Sequence, residues 1–181
     1  MELKKIINSC IKKEHQAQNT LYKRYKDVLF GVSLKYCTNR EEAQDNLQDS
    51  FIEILNNIKK FNNKGSFEGW MKRITINKAI DKYKKNIKSS ASLQDIHLKD
   101  TIEIPPINEI PLSIILKFIQ ELPDQYRLCF NLYELDNYSH KEISKMLSIS
   151  EGTSKSNLFR AKKILKNKVL NYKKTNSSHE E

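Results

Sequence analysis

Between residues 41 and 58, apolar side chains recur every three or four positions, and this helical period constrains the fold more than any other feature. One face of such a helix is apolar and carries Leu47, Phe51, Ile54, Leu55 and Ile58. The opposite face is polar and largely acidic, and it carries Asp45, Gln48, Asp49 and Glu53. We therefore predict an amphipathic helix that buries its apolar face and leaves its acidic face exposed. The four residues of that exposed face are called the acidic stripe below.

Glycine and proline are scarce, with four of each among 181 residues. Folds rich in tight turns need more of both, so the scarcity argues against an all-β architecture and favours long helices. Further helical patterns cover residues 3–13, 16–37 and about 68–85, and another begins at Leu112. Pro123 suits the first turn of a helix that extends to Glu134.

The periodic pattern fades between residues 86 and 111, where serine and proline accumulate. This composition is typical of a linker, and the Pro105-Pro106 pair should hold part of it extended. We therefore predict an all-α protein made of two small helical domains joined by a flexible linker. The predicted boundaries are 1–88 and 112–175 for the domains, 89–111 for the linker and 176–181 for a loose tail.

Charge is distributed unevenly along the chain. The 32 Lys and Arg against 22 Asp and Glu give a formal net charge of +10, which attracts polyanions. Residues 36–58 nevertheless hold five acidic residues and one basic residue, whereas residues 59–88 hold ten basic and two acidic ones. One polyanion cannot explain both patches, so they predict two different partners. A solvated helix surface is the alternative for either patch taken alone.

Several classes of protein are disfavoured. No apolar run reaches 18 residues and the N-terminal apolar stretch is short, so we expect neither a spanning helix nor a signal peptide and place the protein in the cytoplasm. The three cysteines favour reduced, buried thiols. The four histidines are scattered, and the chain has no phosphate-cradling glycine loop or nucleophile motif. We expect no enzymatic activity, no catalytic residues, no metal, no cofactor and no small-molecule substrate.

The strongest local pattern lies between Tyr138 and Leu165. A short helix with Ile143 and Leu147 facing inward precedes a turn at residues 148–150, and a second helix follows. The inward face of the second helix would carry Leu158, Ala161 and Leu165, which leaves Ser156, Phe159, Arg160 and Lys163 pointing away. This is helix-turn-helix geometry, in which the second helix lies in the major groove of duplex DNA. A plain helical hairpin is the alternative.

At these positions the chain resembles the extracytoplasmic-function sigma factors of bacterial RNA polymerase. Asp45-Asn-Leu-Gln-Asp-Ser-Phe51 is similar to the acidic core-binding signature of the family's region two. The next family pattern is matched by Phe67, Trp70, Met71, Asn77 and Asp81, and the region-four pattern by Leu122-Pro123, Arg127, Phe130, Glu142-Ile143, Gly152-Thr153, Lys155-Ser156 and Arg160-Ala161. The region-two pattern followed, after a linker, by the region-four pattern is more specific for this family than either pattern alone.

The resemblance implies a sigma factor that directs promoter-specific transcription initiation, with core RNA polymerase, promoter DNA and an anti-sigma factor as partners. A basic coiled-coil element of the polymerase would bind Asp45, Gln48, Asp49 and Glu53. Melted minus-ten DNA would contact Asn62, Asn63, Lys64, Lys72, Arg73, Asn77 and Lys78. Duplex minus-thirty-five DNA would contact Thr153, Lys155, Ser156, Arg160 and Lys163.

Three residues depart from the family pattern. Ser154 replaces a small aliphatic residue, which should weaken packing. Asn157 stands where an arginine is common, which puts one base or phosphate contact in doubt. Asn46 interrupts a run that is usually apolar or acidic. Within the matched pattern, Trp70 is interpreted as a core ring rather than a stacking platform, because Ile74 lies one turn along on the same face.

A stand-alone helix-turn-helix transcriptional regulator is the second interpretation, because the output domains of response regulators share the Glu-Gly-Thr turn. Such a protein should carry a phosphoacceptor α/β input domain. Residues 1–88 show neither glycine-bounded β-runs nor an acidic pocket after a strand, which favours the sigma factor.

Overall fold

A computed structural model of the protein describes residues 2–86 and 102–177 and divides the chain into two compact units, Met1–Lys82 and Tyr83–Glu181. Across the described residues every regular element is helical, which confirms the predicted all-α class. Most of the predicted linker, residues 89–101, lies outside the described residues, as do residues 178–181 of the predicted tail.

The first unit contains α1 (Leu3–Ile11), α2 (His15–Tyr36), α3 (Arg40–Asn57), a 3-10 turn (Ile58–Lys60) and most of α4 (Phe67–Asn86). These bounds agree with the predicted helices to within a few residues. At the start of α3, the Asn39 side chain accepts a hydrogen bond from the backbone N–H of Glu42 at 2.8 Å, so a capping residue fixes where the helix begins.

The apolar face predicted for α3 is buried in the core of this unit. Leu47, Phe51, Ile54 and Ile58 pack with residues of α1, α2 and α4, and Leu55 is half-buried against them. Trp70 stacks on Phe67 with 5.5 Å between ring centroids and packs against the same core. The ring is half-buried, in agreement with its interpretation as a core residue.

The second unit contains α5 (Leu112–Gln120), α6 (Asp124–Phe130), a π-helical turn (Asn131–Leu135), α7 (His140–Leu147) and α8 (Glu151–Ser177). Pro123 lies at the N-cap of α6, one position before the first turn. The buried Arg127 guanidinium donates to the Leu122 carbonyl at 2.8 Å and to Asp124 at 2.5 Å, so it joins the end of the α5 segment to α6.

Local sequence also explains the turn between α7 and α8. Ser139 and Glu142 form a capping box that begins α7, and Ser148 ends the helix in the left-handed conformation, with φ 57°. The Ser150 hydroxyl then accepts the backbone N–H of Thr153 at 2.9 Å in the first turn of α8. Ile143, Leu147, Leu158, Ala161 and Leu165 are buried, as the helix-turn-helix pattern predicted.

Ser154 is fully buried, and its hydroxyl lies 3.0 Å from His140 Nδ1. The His140 ring in turn stacks on Tyr133 with 4.4 Å between centroids. The sequence predicted only a loss of packing at Ser154. The structure adds a hydrogen bond between α7 and α8, which offsets part of the cost of burying a hydroxyl.

We expect the protein to lose stability as the pH falls below about 6.5. Burial, and then the charge of Lys155, lowers the pKa of His140 in the folded protein. The unfolded chain therefore binds a proton at a higher pH than the folded chain does, so stability is complete above the unfolded pKa and decreases below it. Thermal unfolding at about pH 7.5 and about pH 5.5 measures the loss, which should be smaller in His140→Gln. An equal loss in that variant contradicts the assignment.

Candidate functional site

The exposed face of α3 carries the residues predicted to bind core polymerase. Asp45, Gln48 and Asp49 are exposed and Glu53 is half-buried, so the predicted acidic stripe exists as a surface. Ile52 also lies on this face and is 60% exposed, although the sequence pattern did not single it out. Its spacing of three residues from Asp49 was the signal that it lies among the acidic residues rather than in the core.

The loop after the 3-10 turn presents Asn62, Asn63 and Lys64, all exposed. The Asn62 side chain accepts the backbone N–H of Lys64 at 3.1 Å, and Asn63 adopts a left-handed conformation with φ 60°. Local hydrogen bonding of this kind is how asparagine stabilises tight turns. The loop therefore holds its polar groups at the surface, beside the aromatic cluster of Phe61 and Phe67.

The four residues of α4 predicted to contact minus-ten DNA do not share one face. Arg73 and Asn77 are exposed together. Lys72 instead pairs with Glu68 of the same helix at 2.7 Å, and Lys78 pairs with Glu53 of α3 at 3.1 Å. Of the cationic residues of α4 predicted to contact minus-ten DNA, Arg73 is exposed, whereas Lys72 and Lys78 already have carboxylate partners.

The pair formed by Glu53 and Lys78 joins two residues that the sequence assigned to different partners. The Lys78 ammonium lowers the pKa of Glu53 below its ordinary value, first through their hydrogen bond and then through its charge. The Asn57 amide also donates to Glu53 at 2.5 Å. The acidic stripe and the cationic helix therefore meet at this ion pair.

On the buried side of α3, Asn46 makes two hydrogen bonds to other helices that the sequence pattern did not predict. Its amide nitrogen donates to Ser33 Oγ of α2 at 3.0 Å and to the Thr75 carbonyl of α4 at 3.2 Å. Asn46, which interrupts a usually apolar or acidic run of the family pattern, therefore connects three helices by hydrogen bonds.

In α8, Lys155 and Lys163 are exposed, as expected for a helix that contacts DNA phosphates. Arg160 is half-buried, with its guanidinium carbon 6.0 Å from the centre of the Tyr126 ring. Thr153 is half-buried, and its hydroxyl lies 2.9 Å from that of Ser150. These four side chains occupy the N-terminal and middle turns of the predicted recognition helix.

Ser156 differs from the prediction that it points away from the protein, because its side chain is only 2% exposed. The helical period predicts in which direction a side chain points from the helix axis. It does not predict which groups of other segments cover that side chain. Ser156 would contact DNA only after the groups that cover it move away.

Asn157 is also buried, and its amide donates to the Gln125 side chain of α6 at 3.2 Å. The Cys129 thiol lies beside it, and burial raises the pKa of that thiol to about 11. Position 157 therefore joins α6 to α8, and its side chain is not exposed at the surface of α8.

None of the helices within residues 2–86 and 102–177 is long and apolar enough to cross a membrane. In that described part of the chain, no three His, Cys, Asp or Glu side chains are grouped closely enough to hold a metal ion.

Two family models match the chain. Residues 21–88 match Sigma-70 region 2, and residues 112–165 match Sigma-70, region 4. Together these ranges cover about two thirds of the chain. They contain α3, α4 and the helix-turn-helix, so the matched regions hold all three groups of predicted site residues.

Curated relatives cover most of this chain and most of their own length. The ECF RNA polymerase sigma-E factor of Haemophilus influenzae is 28% identical over 171 residues, which is 86% of this chain and 89% of the relative. The ECF RNA polymerase sigma factor SigM of Bacillus subtilis is 28% identical over 149 residues, or 81% and 91%.

Among solved structures, the sigma factor RpoE from Bartonella quintana, solved in complex with the anti-sigma factor NepR, has a similar fold. Its TM-score is 0.53 at 17% identity, over 83% of this chain and 95% of that one. The two family models, together with the curated relatives, show that this chain belongs to the sigma-70 family, as a sigma factor of the extracytoplasmic-function type with regions 2 and 4.

We expect a small but measurable coupling between Glu53 and Lys78, on the order of 0.2–1 kcal/mol, because both side chains are partly exposed to solvent. Urea unfolding of the unaltered chain, Glu53→Gln, Lys78→Met and the double variant gives the coupling as a double-mutant cycle. High salt should reduce it. A coupling indistinguishable from zero at low salt contradicts the prediction that this pair stabilises the fold.

Proposed function

We propose that this sigma factor directs promoter-specific transcription initiation by binding core RNA polymerase through α3 and promoter DNA through α4 and α8. The observation that carries this assignment is the acidic stripe, an exposed negative surface on a chain whose formal net charge is +10. DNA is itself negatively charged and would be repelled by such a surface. The stripe therefore favours a second partner that is basic.

Core binding is assigned to Asp45, Gln48, Asp49 and Glu53. Complementary charge across such an interface mainly sets the encounter rate and the orientation of the two proteins. Asp45 and Asp49 are exposed and are the strongest candidates, whereas Glu53 would have to leave or share Lys78 in order to take part. The exposed Ile52, about one helical turn beyond Asp49, adds apolar area to the same surface.

Minus-ten recognition is assigned to the loop of Asn62, Asn63 and Lys64 and to Arg73 and Asn77 of α4. Holding a melted strand requires a cationic surface for its backbone and a polar site for a base that has left the stack, which costs on the order of a few kcal/mol to unstack. The exposed asparagines and Arg73 provide these groups. Lys72 and Lys78 would contribute only by exchanging their carboxylate partners for phosphate.

Minus-thirty-five recognition is assigned to α8 as the second helix of the helix-turn-helix. Lys155 and Lys163 are exposed and are assigned to phosphate contacts, and Arg160 is the best candidate for a base edge. Thr153 lies at the N-terminal end of the helix, where residues of such helices contact bases. Two DNA-binding elements on one chain raise the effective affinity for a promoter that carries both sequences.

The chain is further proposed to be regulated by an anti-sigma factor and to act in the cytoplasm as a binding protein rather than an enzyme. The sigma factor from Bartonella quintana with a similar fold was solved with such a partner. The distribution of functional groups supports a binding role, since the surfaces described above are charged faces rather than an enclosed pocket with converging acid and base groups.

We expect purified core polymerase to start transcription at new promoters when this chain is added. Asp45→Lys together with Asp49→Lys should abolish both polymerase capture in a pull-down and the new transcripts, because the partner surface is expected to be basic. Asp27→Lys, an exposed acidic residue on α2, is a control that should change neither. Unchanged capture by the double variant contradicts the core-binding assignment. Tight sequence-specific DNA binding without polymerase would instead favour a stand-alone regulator.

We expect Arg160→Ala to weaken minus-thirty-five binding by about 1–3 kcal/mol and to relax specificity at one position if the arginine contacts a base. Lys163→Ala, in contrast, should weaken binding to all sequences similarly and reduce the salt dependence, because a phosphate contact carries no sequence information. Titration of holoenzyme against promoter variants measures both effects. An equal loss on random DNA would assign Arg160 to phosphate as well.

A further inference from the structure

We propose that Asn46 is a positioning residue that fixes α4 against α3 and so sets where Arg73 and Asn77 lie relative to the acidic stripe. The inference rests on the proposed function, because it concerns how the polymerase-binding and DNA-binding surfaces of region 2 are held together. It assigns a role to a residue that departs from the family pattern.

Asn46 directly follows Asp45 of the acidic stripe and is itself buried, with 3% of its surface exposed. Both hydrogen bonds of its amide nitrogen leave α3. One reaches Ser33 Oγ of α2 at 3.0 Å, and the other reaches the backbone carbonyl of Thr75 in α4 at 3.2 Å. A single side chain therefore joins three helices.

The chemistry of the two partners requires a hydrogen-bond donor at position 46. The Thr75 carbonyl can only accept, and the Ser33 hydroxyl donates its own hydrogen to the Leu29 carbonyl at 3.0 Å. An aspartate would offer no hydrogen to either group, and an aliphatic residue would offer no polar atom. The two N–H groups of the Asn46 amide are thus matched to the two acceptors at this position.

The contact with Thr75 has a functional consequence because Thr75 lies between Arg73 and Asn77 in α4. Apolar packing is not directional, whereas a hydrogen bond to a backbone atom favours one distance and one angle. The bond from Asn46 therefore favours one axial position of α4 along α3. A polymerase that holds α3 through Asp45 consequently holds Arg73 and Asn77 at a defined place on the melted strand.

The position of α4 can be measured directly on the free protein. Spin labels at Gln44→Cys on α3 and Asp81→Cys on α4 occupy exposed positions, whereas the native cysteines, Cys10, Cys37 and Cys129, are buried. We expect double electron–electron resonance to give one narrow distance distribution, and Asn46→Leu to shift or broaden it.

Ser50→Ala is the matched control for this measurement. Ser50 is also buried in α3, but its hydroxyl donates to the Asn46 carbonyl within the same helix, at 2.5 Å. Its removal deletes a buried polar group from α3 while leaving the bonds from the Asn46 amide to α2 and α4 in place. We expect its distance distribution to match that of the unaltered chain.

Holoenzyme assays give a second, functional readout. Asn46→Leu should bind core polymerase within about twofold of the unaltered chain, because the acidic stripe is unchanged. Promoter opening, measured by permanganate reactivity of the minus-ten thymines, should fall about 2- to 30-fold. Ser50→Ala should open the promoter normally.

An unchanged distance distribution or normal promoter opening in Asn46→Leu overturns the proposal. A parallel loss of core binding and opening also overturns it, since a role in stability alone predicts that result. If Asn46→Leu does not fold, Asn46→Ala is used instead, because it removes both hydrogen bonds without adding a branched side chain to the core; a shift or broadening is expected, and an unchanged distribution overturns the proposal.

Failure of the proposed function can be distinguished from failure of the role proposed for Asn46. The unaltered chain would then start no transcription with core polymerase, while the label distances on the free protein would still report whether Asn46 fixes α4.

Discussion

Burial of the apolar face of α3 is the constraint on which the rest of region 2 depends. Full burial of side chains such as Phe51 and Ile54 contributes about 1.5–3 kcal/mol each, which is a large fraction of the stability of a small domain. Because α3 can bury that face only against α1, α2 and α4, the opposite face must point to solvent. The position of Asp45 and Asp49 at the surface is therefore a consequence of core packing, and the proposed polymerase contact uses a surface that folding already exposes.

Charge in this protein cannot be understood by counting residues along the chain. The cationic segment after α3 contains lysines that tertiary and local contacts pair with carboxylates, Lys78 with Glu53 and Lys72 with Glu68. Among the α4 residues assigned to minus-ten DNA, the exposed Arg73 is therefore the stronger candidate for the phosphate backbone. Because Glu53 and Lys78 are paired, a polymerase that binds Glu53 competes with Lys78 for that carboxylate. DNA that binds Lys78 likewise competes with Glu53 for that ammonium group.

The three residues that depart from the family pattern are all buried, polar and hydrogen-bonded between helices. Asn46 joins α2, α3 and α4, Ser154 joins α8 to α7, and Asn157 joins α8 to α6. Buried polar groups cost free energy unless they are paired, and when paired they favour one arrangement of the helices over others. A polar substitution at a core position is thus compensated by specific partners, none of which lies near it in sequence.

The sequence by itself determined the helices, their apolar faces and the helix-turn-helix, because helical period and capping residues act over a few neighbouring positions. It also determined the exposed acidic stripe, since burying one face of an amphipathic helix exposes the other. Only the tertiary structure decided that Lys78 meets Glu53, that Ser156 is covered and that Asn46 holds three helices together. Each of these depends on groups 13 or more residues apart in the chain, or on what covers a side chain, and neither is encoded in local periodicity.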